Sequence, residues 1–311
     1  MRCLGLDTSN YTTSAAVFGN DTALNCGKLL DVPQGALGLR QSDAVFQHVR
    51  RLHVMMEQLR EAGALNDLVA VGASTRPREV EGSYMPCFLV GEGQGRSIAA
   101  NLDVPFFEFS HQQGHIAAAA WSAGKMDLLD RPHLAWHLSG GTTELLYVEP
   151  NGTAPQARCI GGTSDISAGQ LIDRPGQILG LAFPAGKMLD KLSQECDKSD
   201  RFSVKLKELT FSLSGMENKV RQMFEHEVPH AQIARYVLET LADILVRATK
   251  AARQEYGNLP VLFSGGVASN QLLRQRLTGE EIYFAKPEYS TDNALGVAIL
   301  TQRAMERRET V

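Results

Sequence analysis

Twice in this chain a short apolar run stops at Ser-Gly-Gly. Leu134-Ala135-Trp136-His137-Leu138 meets Ser139-Gly140-Gly141-Thr142-Thr143, after which Leu145-Leu146-Tyr147-Val148 resumes as strand. Pro260-Val261-Leu262-Phe263 meets Ser264-Gly265-Gly266, and Val267-Ala268-Ser269-Asn270 leads on into a helical pattern. Glycine has no Cβ, so such a loop lets backbone approach a ligand closely. Successive exposed N–H groups in it make a nest suited to phosphate. One copy alone is equally well a tight turn between strands. A third element narrows the choice. Cys3-Leu4-Gly5-Leu6 reads as a short buried strand, the hydroxyl-rich turn Asp7-Thr8-Ser9-Asn10-Tyr11-Thr12-Thr13-Ser14 follows, and Ala15-Ala16-Val17-Phe18 returns as strand. In that set Asp7 could hold a hydrated Mg²⁺ while the two loops grip phosphate and nucleoside.

The intervening segments alternate strand and helix. Val45, Val49, Leu52, Met56 and Leu59 recur at helical spacing between Ser42 and Leu65. Leu68 to Ala73 reads as a buried strand that ends in a polar loop from Ser74 to Ser83. Ile233, Val237, Leu241, Ile244, Leu245 and Ala248 line a long helix that closes at Gly257. This alternation argues for an α/β chain, and 311 residues suffice for two domains.

A net charge of -4 gives no sign of a basic nucleic-acid stripe, so any RNA contact would need local patches or a partner subunit. Cys3, Cys26, Cys87, Cys159 and Cys196 are scattered and contain no C-x-x-C pair, which fits reduced thiols and argues against a zinc knuckle. With no hydrophobic signal core near Asp7 and no apolar run of about 20 residues, the expectation is a soluble cytoplasmic protein without membrane contact.

Ser110-His111-Gln112-Gln113-Gly114-His115 opens a further helix, with Ser110 as a plausible N-cap. The i, i+4 spacing puts both imidazoles on one face, the geometry of a two-histidine metal clip. The same spacing also suits two capping or solvent-facing histidines. His133 and His137 read as structural, although His137 lies close to the first glycine loop; His48 and His53 read as surface residues. An H-E-x-x-H peptidase needs a Glu beside its first His as general base. Gln112 stands there and cannot take a proton from water, which excludes that chemistry.

The order of these loops resembles the sugar-kinase, Hsp70 and actin superfamily of actin-like ATPases, in which two ribonuclease-H-like domains clamp a nucleotide. Within it the chain resembles the TsaD family of tRNA threonylcarbamoyl transferases, from Leu4 to about Ala298. The run Asp165-Ile166-Ser167-Ala168-Gly169-Gln170-Leu171-Ile172-Asp173, then Leu179-Gly180-Leu181 and Pro184-Ala185-Gly186, is similar to that family's acidic pair, Ala-Gly-Glu, Asp, Leu-Gly-Leu and Pro-Gly-Gly. Phe211-Ser212-Leu213-Ser214-Gly215 is similar to its Phe-Ser-Phe-Ser-Gly turn, and Ser264 through Asn270 to its Gly-Gly-Val-Ala-Ala-Asn loop.

This resemblance implies an α/β, actin-like fold, with domains 1–125 and 126–311, the ligand in the cleft between them, and the last helix packing back on the first domain. It implies an adenine nucleotide or acyl-adenylate held by Asp7, Ser139, Gly140, Gly141, Thr142, Asp173, Gly186, Asp190, Gly265, Gly266 and Asn270. For Asp173 the spacing alone favours an ordinary helix carboxylate. The family completes its histidine pair with an Asp, here Asp292 of Thr291-Asp292-Asn293-Ala294, so iron(II) or zinc on His111, His115 and Asp292 is implied. The implied reaction is transfer of threonylcarbamoyl from threonylcarbamoyl-AMP to an adenosine of tRNA, with a TsaB-like partner subunit. Alternatives are a related carbamoyl-adenylate transferase with another acceptor, and a non-catalytic nucleotide-binding subunit.

Four departures from the family pattern suggest a divergent paralogue. Tyr11 and Thr12 stand where bacterial members have acidic residues, and Thr142 where the glycine loop usually carries His. Met216-Glu217-Asn218 replaces Leu-Lys-Thr, and Thr75-Arg76-Pro77-Arg78-Glu79-Val80-Glu81-Gly82 replaces a Gly-Pro-Gly loop.

Overall fold

The computed structural model describes residues 1–9, 11–19, 22–32, 39–290 and 294–309. The chain forms two compact units, one of Met1–Arg131, Glu149–Ala157 and Thr291–Val311, the other of Pro132–Val148 and Arg158–Ser290. The sequence suggests one boundary at 125/126; these units instead divide at 131/132, and the chain re-enters the first unit at 149–157 and again from 291.

The first unit is built on a five-stranded sheet. Its strands are β1 (Arg2–Asp7), β2 (Thr12–Gly19), β3 (Thr22–Leu29), β4 (Leu68–Arg76) and β5 (Phe106–Ser110), in the order β3-β2-β1-β4-β5. β1 is antiparallel to β2 and parallel to β4. Helices α1 (Gln41–Glu61), α2 (Phe88–Leu102) and α3 (His111–Ser122) belong to this unit, as does the chain-terminal α9 (Leu295–Glu309). Leu4, Leu6, Val17, Val71, Leu52 and Leu59 form one core. Helix α9 lies against the backbone of β1 and of α3: a Cβ on Gly5 would stand 2.4 Å from the Ala298 nitrogen, and one on Gly296 would stand 1.8 Å from the Gly114 carbonyl oxygen.

The second unit carries β6 (His133–Leu138), β7 (Thr143–Glu149), β8 (Gln156–Thr163), β9 (Leu206–Lys207), β10 (Thr210–Phe211), β11 (Val261–Ser264) and β12 (Ile282–Phe284), ordered β12-β11-β6-β7-β8-β10-β9. Helices α4 (Ala168–Ile178), α5 (Gly186–Ser193), α6 (Gly215–Glu225), α7 (His230–Tyr256) and α8 (Gln271–Arg276) complete it. Leu134, Trp136 and Leu138 of β6 point into the core with Phe211, Phe263 and the α7 stripe Val237, Leu241 and Ile244. Because strand side chains alternate, His133, Ala135 and His137 fall on the opposite sheet face. Trp136 satisfies its buried Nε1–H on Thr249 Oγ1 at 2.9 Å. No helix among the described residues is long and apolar enough to cross a membrane.

On α1 the buried stripe is Ala44, His48, Leu52, Met55 and Leu59, while Val49 is exposed. His48 is therefore not a surface residue as its sequence suggests. Its Nδ1 lies 2.8 Å from Thr13 Oγ1, which lets an imidazole occupy a core position, although Nε2 has no partner. His53, by contrast, is exposed.

Burial pushes the His48 pKa down to about 4 from 6.5, against a smaller upward pull from Asp7 and a further downward push from Arg51. Above 6.5 the ring is neutral folded or unfolded. Below it the unfolded chain takes the proton first, so stability is lost as pH falls toward 4. The expected loss is ~3 kcal/mol. Urea unfolding across this window should be less pH-dependent in His48→Gln, which can keep the Thr13 bond. An identical slope in both proteins would contradict the burial of a neutral imidazole.

Candidate functional site

In the first unit, β5 delivers the chain into α3 through a capping box. Ser110 Oγ accepts from the Gln113 backbone N–H, and the Gln113 side chain accepts from the Ser110 N–H. This fixes the first helical turn, and with it His111. His111 Nε2 and His115 Nε2 converge to 2.8 Å, with their rings roughly perpendicular. His111 Nδ1 lies 2.9 Å from Asp7 Oδ2. A carboxylate only accepts, so Nδ1 carries the hydrogen and Nε2 carries the lone pair. Such a carboxylate–histidine pair orients an imidazole for a metal.

The Asp7 carboxylate thus faces His111. It is 1% exposed. Its oxygens also accept from Ser9 N at 3.0 Å, Ser9 Oγ at 3.2 Å and Ser74 Oγ at 2.5 Å. The spacing of the histidines was legible; the carboxylate behind His111, 104 residues away, was not. Among the described residues no three His, Cys, Asp or Glu side chains form a metal-sized group. The expected third ligand, Asp292, lies outside the described residues.

In the second unit, β6 and β11 lie side by side and parallel, so both glycine loops leave the same end of the sheet. The Ser139 N–H donates to the Thr142 carbonyl at 2.8 Å and the Thr142 N–H to Ser139 Oγ at 3.0 Å, closing the first loop on itself. The start of α4 braces it: the Gly169 N–H donates to the Ser139 carbonyl, and Ser167 Oγ to the Gly140 carbonyl. A Cβ on Gly169 would stand 2.4 Å from Gly140 Cα. Gly265, at φ +90, would put a Cβ 2.1 Å from the Leu138 carbonyl oxygen. These two glycines are required by the protein itself.

Gly140, Gly141, Gly186 and Gly266 are different. None has positive φ, and a Cβ on any of them would meet nothing within 4 Å. Among the described glycines only Gly93, on an exposed helix face, shares both properties. Neither backbone conformation nor packing requires glycine at the four, and the lack of a Cβ leaves their backbone open to approach.

Carboxylates tie the surrounding elements together. Asp173 Oδ1 accepts from the Ala185 N–H at 2.8 Å, anchoring the turn before Gly186. Asp190 accepts from the Gln271 and Leu272 N–H groups at 2.7 and 3.3 Å, joining α5 to α8. Asn270 caps α8 through Oδ1, is only 7% exposed, and leaves its Nδ2 without a partner. A buried donor with no acceptor is costly unless a ligand supplies one. Asp165 accepts from Ser212 Oγ and from the Leu213, Ser214 and Ile166 N–H groups. Burial would raise its pKa, but the Ser212 and Ser214 donors, then the backbone N–H groups, hold it well below the usual carboxylate range. Glu217, an anion where the resemblance expects a cation, pairs with Arg174 at 2.8 Å and Arg221 at 2.9 Å, so the patch retains positive charge.

The sequence model of the family described as "TsaD: tRNA N6-adenosine threonylcarbamoyltransferase" matches residues 37–299. A tRNA N6-adenosine threonylcarbamoyltransferase of Thermus thermophilus is 33% identical over 316 residues, covering 99% of this chain and 94% of the relative. Among solved structures, full-length HypF in its phosphate- and nucleotide-bound form superposes with a TM-score of 0.64 at 15% identity, over 98% of this chain and 56% of that one. The activator of the 2-hydroxyisocaproyl-CoA dehydratase from Clostridium difficile, with bound ADPNP, gives 0.56 at 16% identity, over 100% of this chain and 98% of that one. At such identities the two likenesses show the fold alone, the actin-like ATPase fold.

The Cβ of a valine at Gly140 or Gly266 would meet no protein atom within 4 Å. Each variant is expected to lose calorimetric binding of an adenine nucleotide while its thermal unfolding stays near wild type. Gly265→Val is expected to destabilise the fold and is no test of binding. Undiminished affinity in both Gly140→Val and Gly266→Val would make these loops plain turns.

Proposed function

Because the chain belongs to the TsaD family of tRNA N6-adenosine threonylcarbamoyltransferases, we propose that it transfers the threonylcarbamoyl group of threonylcarbamoyl-AMP to the N6 amine of a tRNA adenosine. The observation that carries this reading is the likeness spanning 99% of the chain and 94% of its Thermus relative. In the transfer, the amine nitrogen bonds to the carbamoyl carbon and gives up a proton to solvent, the bond from that carbon to the phosphate oxygen breaks, and AMP leaves with the electron pair. Backbone N–H groups at Gly140, Gly141 and Gly266 would hold the adenylate phosphate, Asp173 the ribose, and Asn270 Nδ2 an acceptor on the adenine. Such sites work by positioning the acyl carbon and stabilising charge on the leaving phosphate.

The His111 and His115 donors fit an iron(II) or zinc ion: two Nε2 atoms converge, and Asp7 sets the His111 tautomer. When bound, the ion would supply a Lewis-acid site for the threonyl carboxylate or hydroxyl. Asp292 is the proposed third ligand. Gly296, four residues further along the chain, packs against Gly114, between the two histidines in sequence. With a net charge of -4, a TsaB-like partner subunit is proposed to supply much of the tRNA contact, in the cytoplasm.

Purified under metal-replete anaerobic conditions, the protein should carry about one transition metal per chain, and His115→Ala should lose it. Asp7→Asn keeps an acceptor but removes the charge behind His111, and should weaken metal affinity about 10- to 100-fold in chelator competition. Wild-type affinity in Asp7→Asn would refute this task for Asp7.

Incubation with threonylcarbamoyl-AMP and unmodified tRNA, with and without the host's partner proteins, followed by nucleoside mass spectrometry, tests the acceptor. Threonylcarbamoyladenosine should form with the partners and poorly without them. Efficient modification by the chain alone would contradict the partner requirement. No modification in either case, beside tight adenylate binding, would move the reaction to another acceptor.

A further inference from the structure

Among the described residues no large apolar side chain is more exposed than Phe183, at 84%. It stands in the turn between α4 and α5, and both ends of that turn are pinned. Gly180, at φ +75, stops α4, and the Leu181 N–H donates to the Gly176 carbonyl at 2.8 Å, a Schellman close. Leu181 then packs on the core. At the other end Ala185 is buried and gives its N–H to Asp173 Oδ1. It lies so close to α4 that a Cβ on Gly176 would stand 2.2 Å from the Ala185 Cβ. Ala182, Phe183 and Pro184, between these anchors, are all exposed. A single exposed apolar side chain is ordinary. One held on a braced turn, with free cations on the next helix, is not.

Those cations are Lys187 and Lys191. Their i, i+4 spacing on α5 puts them on one helix face. Both are exposed, and neither ammonium has a hydrogen bond or ion pair among the described residues. Arg174 of α4 and Arg221 of α6 share the single carboxylate of Glu217. The carboxylates of α4 and α5, Asp173 and Asp190, accept backbone N–H groups instead. An aromatic face beside such cations suits unpaired nucleotides, because bases stack on the ring while the cations meet phosphates. Lysine is depleted at protein interfaces, so two lysines flanking Phe183 favour RNA over a protein partner.

We propose that Phe183 is a stacking platform for an unpaired base of the tRNA substrate, with Lys187 and Lys191 on the adjoining phosphates; this rests on the tRNA-modification reading above. A base held there is close to the acyl donor, because Asp173, the proposed ribose contact, bonds to Ala185 of the same turn. The chain thus adds a short, local RNA contact of its own to those its partner supplies, which a net charge of -4 does not forbid.

The test uses the full chain with its partner proteins and unmodified tRNA, reading tRNA affinity by fluorescence titration and turnover of threonylcarbamoyl-AMP beside it. Phe183→Ala should weaken tRNA binding about 10-fold. The loss should appear in KM for tRNA rather than in kcat, with adenylate affinity and thermal unfolding near wild type. Phe183→Trp should bind as wild type does, whereas Phe183→Leu, apolar but without a ring, should fall with Phe183→Ala. Lys187→Gln combined with Lys191→Gln should weaken binding and lower the slope of log Kd against log salt by about 1. Wild-type tRNA affinity in Phe183→Ala or in Phe183→Leu overturns the stacking role. Loss of a partner protein from the Phe183→Ala complex, at unchanged tRNA affinity, makes the turn a protein contact and overturns it as well. A wild-type complex that binds tRNA but never modifies it overturns the transfer reading, while the same affinities still decide the stacking role. A wild-type complex that binds no tRNA overturns both.

Discussion

Backbone-to-backbone contact between α9 and α3 is the constraint on which the first unit depends. Gly296 leaves no room for a Cβ against the Gly114 backbone, and Gly5 admits α9 onto β1 in the same way. Helices this close transmit position with little slack, because packed interiors resist small displacements. Helix α3 is thereby fixed along its middle by α9 and at its start by the Ser110–Gln113 capping box. Asp7, at the end of β1, then sets the His111 ring. The two convergent imidazoles follow from a strand end, a helix cap and a terminal helix that are far apart in sequence.

The second unit applies the same principle to loops. Gly169 beneath Gly140, and Gly265 beneath the Leu138 carbonyl, press the backbone of each loop against a neighbour. Rigid support from below leaves Gly140, Gly141 and Gly266 open on the other side. Preorganised N–H groups of this kind cost no rearrangement when a phosphate arrives. Asp173 and Asp190 extend that rigidity by holding the turn before Gly186 and the start of α8. The Arg174–Glu217–Arg221 cluster shows that an apparently reversed charge can be offset by its neighbours.

Strands and long helices were legible because their periodicity is local. β1, β4, β6 and α7 lie where the apolar patterns place them, and Ser110 caps α3 as its residue type suggests. The α1 face was legible only in part, since hydrophobicity alone passes over His48, which Thr13 makes tolerable in a core. The contact between Asp7 and His111 was not legible, because the carboxylate at the end of β1 and the imidazole at the start of α3 lie 104 residues apart. The two kinds of glycine within one Ser-Gly-Gly motif also look alike in sequence, and only the surrounding backbone separates them.

The most direct measurement is a crystal structure of the metal-loaded protein with a non-hydrolysable threonylcarbamoyl-AMP analogue, with anomalous scattering to identify the metal. The account predicts the phosphate within hydrogen-bonding distance of the Gly140, Gly141 and Gly266 N–H groups, the adenine edge on Asn270 Nδ2, and the ion on His111 and His115 Nε2. A phosphate bound elsewhere, with the glycine loops unoccupied and the two imidazoles still hydrogen-bonded to each other, would contradict it.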